Sequence, residues 1–373
     1  MKKHFDYFLF SVVCFLMGFS VIFFFTLSTT ASLQRSDNLY YYFLHQFLSG
    51  YLPALILGFL AYKIPLDYIK KISPILLVIN LFFIFLIFSP LGVTAGGATR
   101  WINLGFFNFQ PSEFLKIISI LYLSSWIASK LSYEKIKGWK DRVKKGYHNV
   151  IYILAPFIIF LSLISIGLYY QRDAGTLGII ALTLLAIYCY AKTPLWHNLV
   201  ILSLGLSFLL YMVKFEPYRL DRWLIFLNPN HDPLGKGFQL KQSIISLGSG
   251  GFWGKGLGMS VQKFGYLPQA TSDSIFAVMG EEIGFIGLTV VIIAFVLFFF
   301  AGLKISRNSH DTFSKLAAFG IVFWISIQAL INMASATGIF PLTGIPLPFF
   351  SYGGSHIVVE LIGVGILLNI SKS

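Results

Sequence analysis

The sequence predicts an all-α integral membrane protein of about ten transmembrane helices, with both termini in the cytoplasm. Three observations predict it. Hydrophobic residues make up 56% of the 373, charged residues only 12%, and the mean hydropathy is +0.76; a soluble domain carries about 25% charge. Apolar runs of roughly membrane thickness follow one another along the chain. Phe, Tyr and Trp together reach 17%, a load suited to lipid contact and interfacial belts. A water-soluble globular protein, a disordered chain and a collagen-like fibre are excluded.

The runs, in order, are Phe8–Leu27, Phe47–Ala61, Ser73–Leu91, Pro111–Leu131, Val150–Tyr170, Gly175–Ala191, Leu199–Lys214, Ser274–Gly302, Thr312–Ala334 and His356–Ile370. The second and last are short and should extend at their outer ends. Met1-Lys2-Lys3 precedes a long apolar run without a small-residue cleavage site, so it reads as a retained first helix. Residues 1–373 are expected to form a single polytopic domain. Cys14 and Cys189 lie in apolar runs without metal-ligand spacing and read as small core residues.

Net charge is +13. On a membrane chain it reads as topology-setting loop lysines beside anionic lipid, with no nucleic-acid partner. With the N-terminus inside, seventeen Lys/Arg fall in inner loops and ten outside, and seven of those ten lie in one long segment, 214–273. Such a segment is functional or disordered. Its Trp223, Phe226, Leu227, Phe238, Leu240, Phe252 and Trp253 are too apolar for disorder, so short amphipathic pieces at the membrane surface are expected. The segment 339–354 holds Pro341, Pro346, Pro348 and Gly353-Gly354. It should be non-helical, and such backbone survives at membrane depth only where it lines a protein cavity.

Ionisable residues within spans cost about 2.5–3.5 kcal/mol each on insertion scales. Glu113 and Lys116 share a helix face, either as a structural ion pair or as a cavity-facing pair for an ionic substrate. Asp173, before Gly175, reads as a helix cap or a site residue. Glu281 and Glu282 point about 100° apart on a helix, so both should not face one partner. His356 and Glu360 are spaced as a structural pair. Asp273 ends the long basic segment, either as an N-cap or as a base beside a cationic pocket.

At these residues the chain resembles the SEDS family (FtsW, RodA, SpoVE). Gly96-Gly97-Ala98-Thr99-Arg100-Trp101-Ile102, with Phe109-Gln110-Pro111-Ser112-Glu113-Phe114-Leu115-Lys116, is similar to its G-x-R-R-W-I … Q-P-S-E-x-x-K segment. Asn228-Pro229-Asn230-His231-Asp232-Pro233-Leu234-Gly235-Lys236-Gly237, Leu267-Pro268-Gln269-Ala270-Thr271-Ser272-Asp273, Gly280-Glu281-Glu282-Ile283-Gly284 and Pro346-Leu347-Pro348-Phe349-Phe350-Ser351-Tyr352-Gly353-Gly354-Ser355 resemble four further motifs in the same order. Departures are Gln269 for Glu, Thr271 for His, Arg172 for Pro and His356 for Ser. Gly258-Met259-Ser260-Val261-Gln262-Lys263 looks more like the division and sporulation branch, Ile244–Gly251 more like the elongation branch.

The resemblance implies a peptidoglycan glycosyltransferase in the bacterial cytoplasmic membrane. It would polymerise lipid II at the outer face, release undecaprenyl pyrophosphate, need a divalent cation (Mg or Mn) and work with a class B penicillin-binding protein. Such chemistry needs a base for the attacking hydroxyl and cations for the departing pyrophosphate. Asp273 is the candidate base. Arg100, Lys116, Arg219, Arg222 and Lys255 are candidate cations, with Glu113, Asp173 and Ser351 further substrate contacts. Glu113 or Asp173 could hold the metal by oxygen ligation, and Trp101 and Trp223 could face sugars. Composition alone favours a lipid flippase or other transporter, and a membrane scaffold that only recruits a transpeptidase is a third reading.

Overall fold

The computed structural model describes residues 5–35, 38–95, 98–103, 105, 108–130, 149–215, 217–228, 232 and 235–372. The helices are α1 (Tyr7–Arg35), α2 (Tyr41–Lys63), α3 (Leu66–Leu86), α4 (Pro111–Lys130), α5 (Val150–Tyr170), α6 (Ala174–Tyr190), α7 (Leu195–Phe215), α8 (Pro217–Leu227), α9 (Lys236–Gly250), α10 (Ile275–Asn308), α11 (Thr312–Ala336) and α12 (Gly354–Ser371). Seven of them, α1, α2, α3, α5, α10, α11 and α12, are long and apolar enough to cross a membrane. Helix α2 starts at Tyr41, well before the apolar run at Phe47, and carries a π turn at Phe47–Tyr51.

Burial sorts the helices. The outer ones expose large apolar side chains, such as Leu55, Phe59, Phe82 and Phe300, as lipid contact requires. Helices α11 and α12 lie deepest, with Trp324, Ile325, Ile357 and Leu367 fully buried. Helix α12 packs closely on α2, because a Cβ on Gly365 would stand 2.1 Å from the Gly58 carbonyl oxygen. Small residues let membrane helices approach in this way. Cys14 and Cys189 are free and exposed rather than core residues. Composition cannot tell the lipid side of a membrane helix from its protein side, since both are apolar.

The chain is not purely helical. Strands β1 (Gly92–Ala95), β2 (Ala98–Asn103) and β3 (Asn108–Phe109) form a small antiparallel sheet, with Val93 opposite Trp101 and Ile102 opposite Phe109. The β-branched and aromatic residues Val93, Thr94, Thr99, Trp101 and Ile102 favour strands, and the sequence Gly96-Gly97 between them suits a hairpin. That local signal is hidden by the surrounding hydropathy.

Two irregular segments cap the same end of the bundle. Residues 339–353 are non-helical as expected, and side chains from several helices satisfy their backbone. Ser20 donates to the Phe349 carbonyl, Glu360 accepts from the Phe349 amide, Gln328 donates to Pro346, and Gln46 accepts from the Gly353 amide. Buried backbone groups need such partners. The second irregular segment, residues 251–263, docks on a break in α10. Gly284 there has φ 67° and ψ −171°. The Phe285 and Ile286 amides donate to the Gly251 and Phe252 carbonyls, while the Lys255 and Gly256 amides donate to Glu281 and Glu282.

Candidate active site

Asp273 is placed by its backbone. Three consecutive carbonyls at the end of the long segment are held: Thr271 accepts from the Tyr352 amide at 2.8 Å, Ser272 from Ser351 Oγ at 2.7 Å, and Asp273 from Asn332 Nδ2 at 3.0 Å. Gln269 starts this turn with φ 56°, and its carbonyl accepts from the Ser272 and Ser274 amides. The N-cap of α10 is Ser274, without a side-chain capping bond. Asp273 is therefore no helix cap, and among the described residues no hydrogen bond occupies its carboxyl.

Asp273 instead lines a small cleft of about 40 Å³, walled by Arg222, Gln239, Ser243, Ser335, Leu342 and Gly344. Burial pushes its pKa up from 3.8 to about 6, against the pull of the Arg222 and Arg100 charges. Desolvation outweighs the cations, so the group titrates just below neutral pH, where a general base works well. Arg222, on α8, is anchored through Nη1 to the Leu342 and Thr343 carbonyls at 2.9 and 2.7 Å, which carries its charge to the cleft. Arg100, on β2, donates to the Gln171 and Arg172 carbonyls, so the sheet and the α5–α6 turn together fix a second guanidinium near Asp273. Arg172 has φ 54° in that turn; a proline, locked near −65°, could not adopt it.

The other expected residues lie elsewhere. Glu113 and Lys116 pair at 2.7 Å with both side chains almost fully buried. Lys116 also donates to Gln328 Oε1 at 3.0 Å and lies over the Trp324 ring. The pair belongs to the bundle interior, not the cleft wall. Asp173 caps α6, accepting from the Thr176 amide and from Ser112 Oγ. Ser351 is fully buried, its hydroxyl accepting from Leu347 and donating to Ser272, so it holds the backbone rather than substrate. Lys255 pairs with Glu281 at 2.7 Å, away from the cleft. The Arg219 side chain lies outside the described residues. Trp101 is half-buried in β2 and Trp223 is exposed on α8; neither lines the cleft.

Glu281 and Glu282 do face one partner, the segment 255–263. Glu281 accepts from Ser260 Oγ and from the Val261 and Gln262 amides, Glu282 from the Gly258 amide and Lys263 Nζ. The segment wraps the helix start, which adjacent spacing alone does not reveal. His356 and Glu360 form the expected pair at 3.4 Å.

Glu113 and Asp173 do not fit a metal site. One is held in an ion pair and the other is a helix cap, and no group of three His, Cys, Asp or Glu is gathered among the described residues. Gln239, Ser243 and Ser335, which wall the cleft, escaped the sequence reading because neutral polar residues carry little signal in a chain this apolar. Gln328 and Asn332 could have been found, being amides four residues apart on an apolar helix.

Fold and cleft define a multi-pass membrane protein with a carboxyl that shares its cleft with the Arg222 guanidinium and feels the charge of Arg100. The chain belongs to the FtsW/RodA/SpoVE family of cell cycle proteins, which it matches over residues 7–373. It is 36% identical over 337 residues to the probable peptidoglycan glycosyltransferase FtsW of Wigglesworthia glossinidia brevipalpis, covering 90% of this chain and 85% of that one. It is 38% identical over 301 residues to the stage V sporulation protein E of Bacillus subtilis, covering 80% and 79%. Among solved structures, a chain from a peptidoglycan synthase complex that coordinates polymerization and crosslinking superposes with a TM-score of 0.75 at 24% identity, over 99% of this chain and 98% of that one. The rod shape determining protein RodA of Thermus thermophilus superposes with a TM-score of 0.67 at 21% identity, over 97% and 96%. These two likenesses concern the fold.

Proposed function

We propose that the chain is a peptidoglycan glycosyltransferase that polymerises lipid II at the outer face of the bacterial cytoplasmic membrane and releases undecaprenyl pyrophosphate. The observation that carries this reading is the Asp273 carboxyl, ionised at neutral pH, with Arg222 in the same cleft and the Arg100 charge near enough to pull its pKa down. The attacking sugar hydroxyl gives its proton to Asp273 as its oxygen bonds the anomeric carbon of the donor. The bond from that carbon to the pyrophosphate breaks, and the guanidinium groups offset the charge that develops on the leaving group. The names of the relatives support the same activity.

Helices α4, α6 and α7 join the seven long apolar helices as spans in this reading, for ten in all. The sheet, α8, α9 and the segment 339–353 then lie at the outer surface. A class B penicillin-binding protein is the expected partner, in keeping with the synthase complex whose fold this chain shares. The test is purified protein with labelled lipid II, with and without such a transpeptidase. Glycan polymer supports the proposal. Lipid II crossing vesicle leaflets without polymer would replace it with a flippase.

A further inference from the structure

Helix α11 carries two amides that the chemistry above does not use. Gln328 and Asn332 stand one turn apart, and both are fully buried. Asn332 spends both hydrogens of one amide group, on the Asp273 carbonyl at 3.0 Å and the Ile345 carbonyl at 2.8 Å. It thereby ties the Asp273 turn to the irregular segment beside it. One turn below, Gln328 donates to the Pro346 carbonyl at 3.1 Å, the residue next to Ile345. Its Oε1 accepts from Lys116 at 3.0 Å and from Trp324 Nε1 at 2.9 Å. Polar contacts therefore run from the buried Glu113–Lys116 pair through Gln328 to Pro346, and, across the covalent Ile345–Pro346 link, from Ile345 through Asn332 to the backbone of Asp273.

We propose that Asn332, backed by Gln328, is the positioning residue for Asp273, and that the Glu113–Lys116 ion pair serves catalysis only by orienting Gln328. This rests on the glycosyltransferase reading above. The ion pair fixes the carbonyl end of the Gln328 amide, which turns its NH₂ toward Pro346. Segment 345–346 is thereby held at the height where Asn332 can bridge Ile345 and Asp273. No group in this set reaches the cleft, so its loss acts on the placement of the carboxyl rather than on substrate contact.

Asn332→Leu keeps the size of the side chain and removes both donors. A small misplacement of a reacting group can lower a rate about 100-fold. Lipid II polymerisation should therefore lose about 10- to 100-fold in kcat with KM nearly unchanged. Gln328→Leu should do the same to a smaller degree, and the double variant should lose less than the product of the two. Hydrogen exchange in the stretch 267–274 of the full-length protein should quicken in both variants. If Asn332→Leu does not fold, Asn332→Ser, with one hydroxyl donor, gives the same readouts at smaller amplitude. An unchanged kcat, a rise in KM alone, or unchanged exchange in 267–274 overturns the proposal. If the parent protein polymerises nothing, the glycosyltransferase reading fails, while the exchange measurement still decides whether Asn332 holds the Asp273 turn.

Discussion

Replacing Asp273 by asparagine keeps the shape of the side chain and removes its charge and its basicity. Burial lifts the carboxyl from 3.8 to about 6, a difference equivalent to roughly 3 kcal/mol. Asp273 is only partly buried, so solvent screening reduces this to about 1–3 kcal/mol. The sign follows from the direction of the rise. At pH 7 the group is ionised in both folded and unfolded chains, and the folded protein bears the whole penalty. As pH falls through about 6 the folded state takes up its proton first, and the penalty is gone below the ordinary value of 3.8. Asp273→Asn should therefore unfold at higher temperature than the parent at pH 7, with the advantage vanishing at acid pH. Polymerisation should fall about 10²–10⁴-fold, and the parent rate should itself drop below pH of about 6. Thermal unfolding in detergent and a lipid II polymerisation assay measure both. A variant that polymerises at the parent rate, or one that is less stable at pH 7, would refute the reasoning.

Lys116→Met leaves Glu113 buried without its partner and should destabilise the fold by about 3–5 kcal/mol; adding Glu113→Gln should recover much of that loss in thermal unfolding. Gly284→Ala puts a Cβ at 2.3 Å from the Gly254 nitrogen, at a residue with φ 67°, so it should cost well over 1 kcal/mol and loosen segment 251–263 to proteolysis. With Cys14 and Cys189 removed, single cysteines at Ser249 and His310 should react with impermeant reagents from opposite sides of the membrane, Ser249 from outside; reaction from one side would overturn the ten-span topology.

Much of the fold was legible because hydropathy is a long-range signal. The run Val150–Tyr170 has the bounds of α5, and Thr312–Ala334 misses the end of α11 by two residues. The Asp273–cation pairing was legible in part, since a lone carboxylate at the end of a basic segment stands out. What sequence could not supply was partnership. Lys255 and Arg222 are both cations of one segment, yet one is tied to Glu281 and the other reaches the cleft. Ser351 sits in a motif that looks like a binding loop, but its hydroxyl bonds backbone on both sides. Hydroxyls and amides in apolar helices are visible as letters, and only the packing says which carbonyl they meet.

The break at Gly284 divides α10 into parts that answer to different surroundings. Its first turns, next to Asp273, are clasped from outside the helix by segment 251–263 through Glu281, Glu282, Lys255 and Lys263. The remainder, from Phe285 on, exposes Phe285, Ile286, Val290, Ile293 and Phe300. A helix in lipid accommodates a thinner or thicker hydrocarbon layer by tilting, and a continuous helix would carry that tilt into the carboxyl at its end. Here a tilt would be taken up at Gly284, whose backbone is already outside the helical range. Such a joint would leave the Asp273 carboxyl indifferent to bilayer thickness, and polymerisation rates in vesicles of short- and long-chain lipids should agree within about twofold.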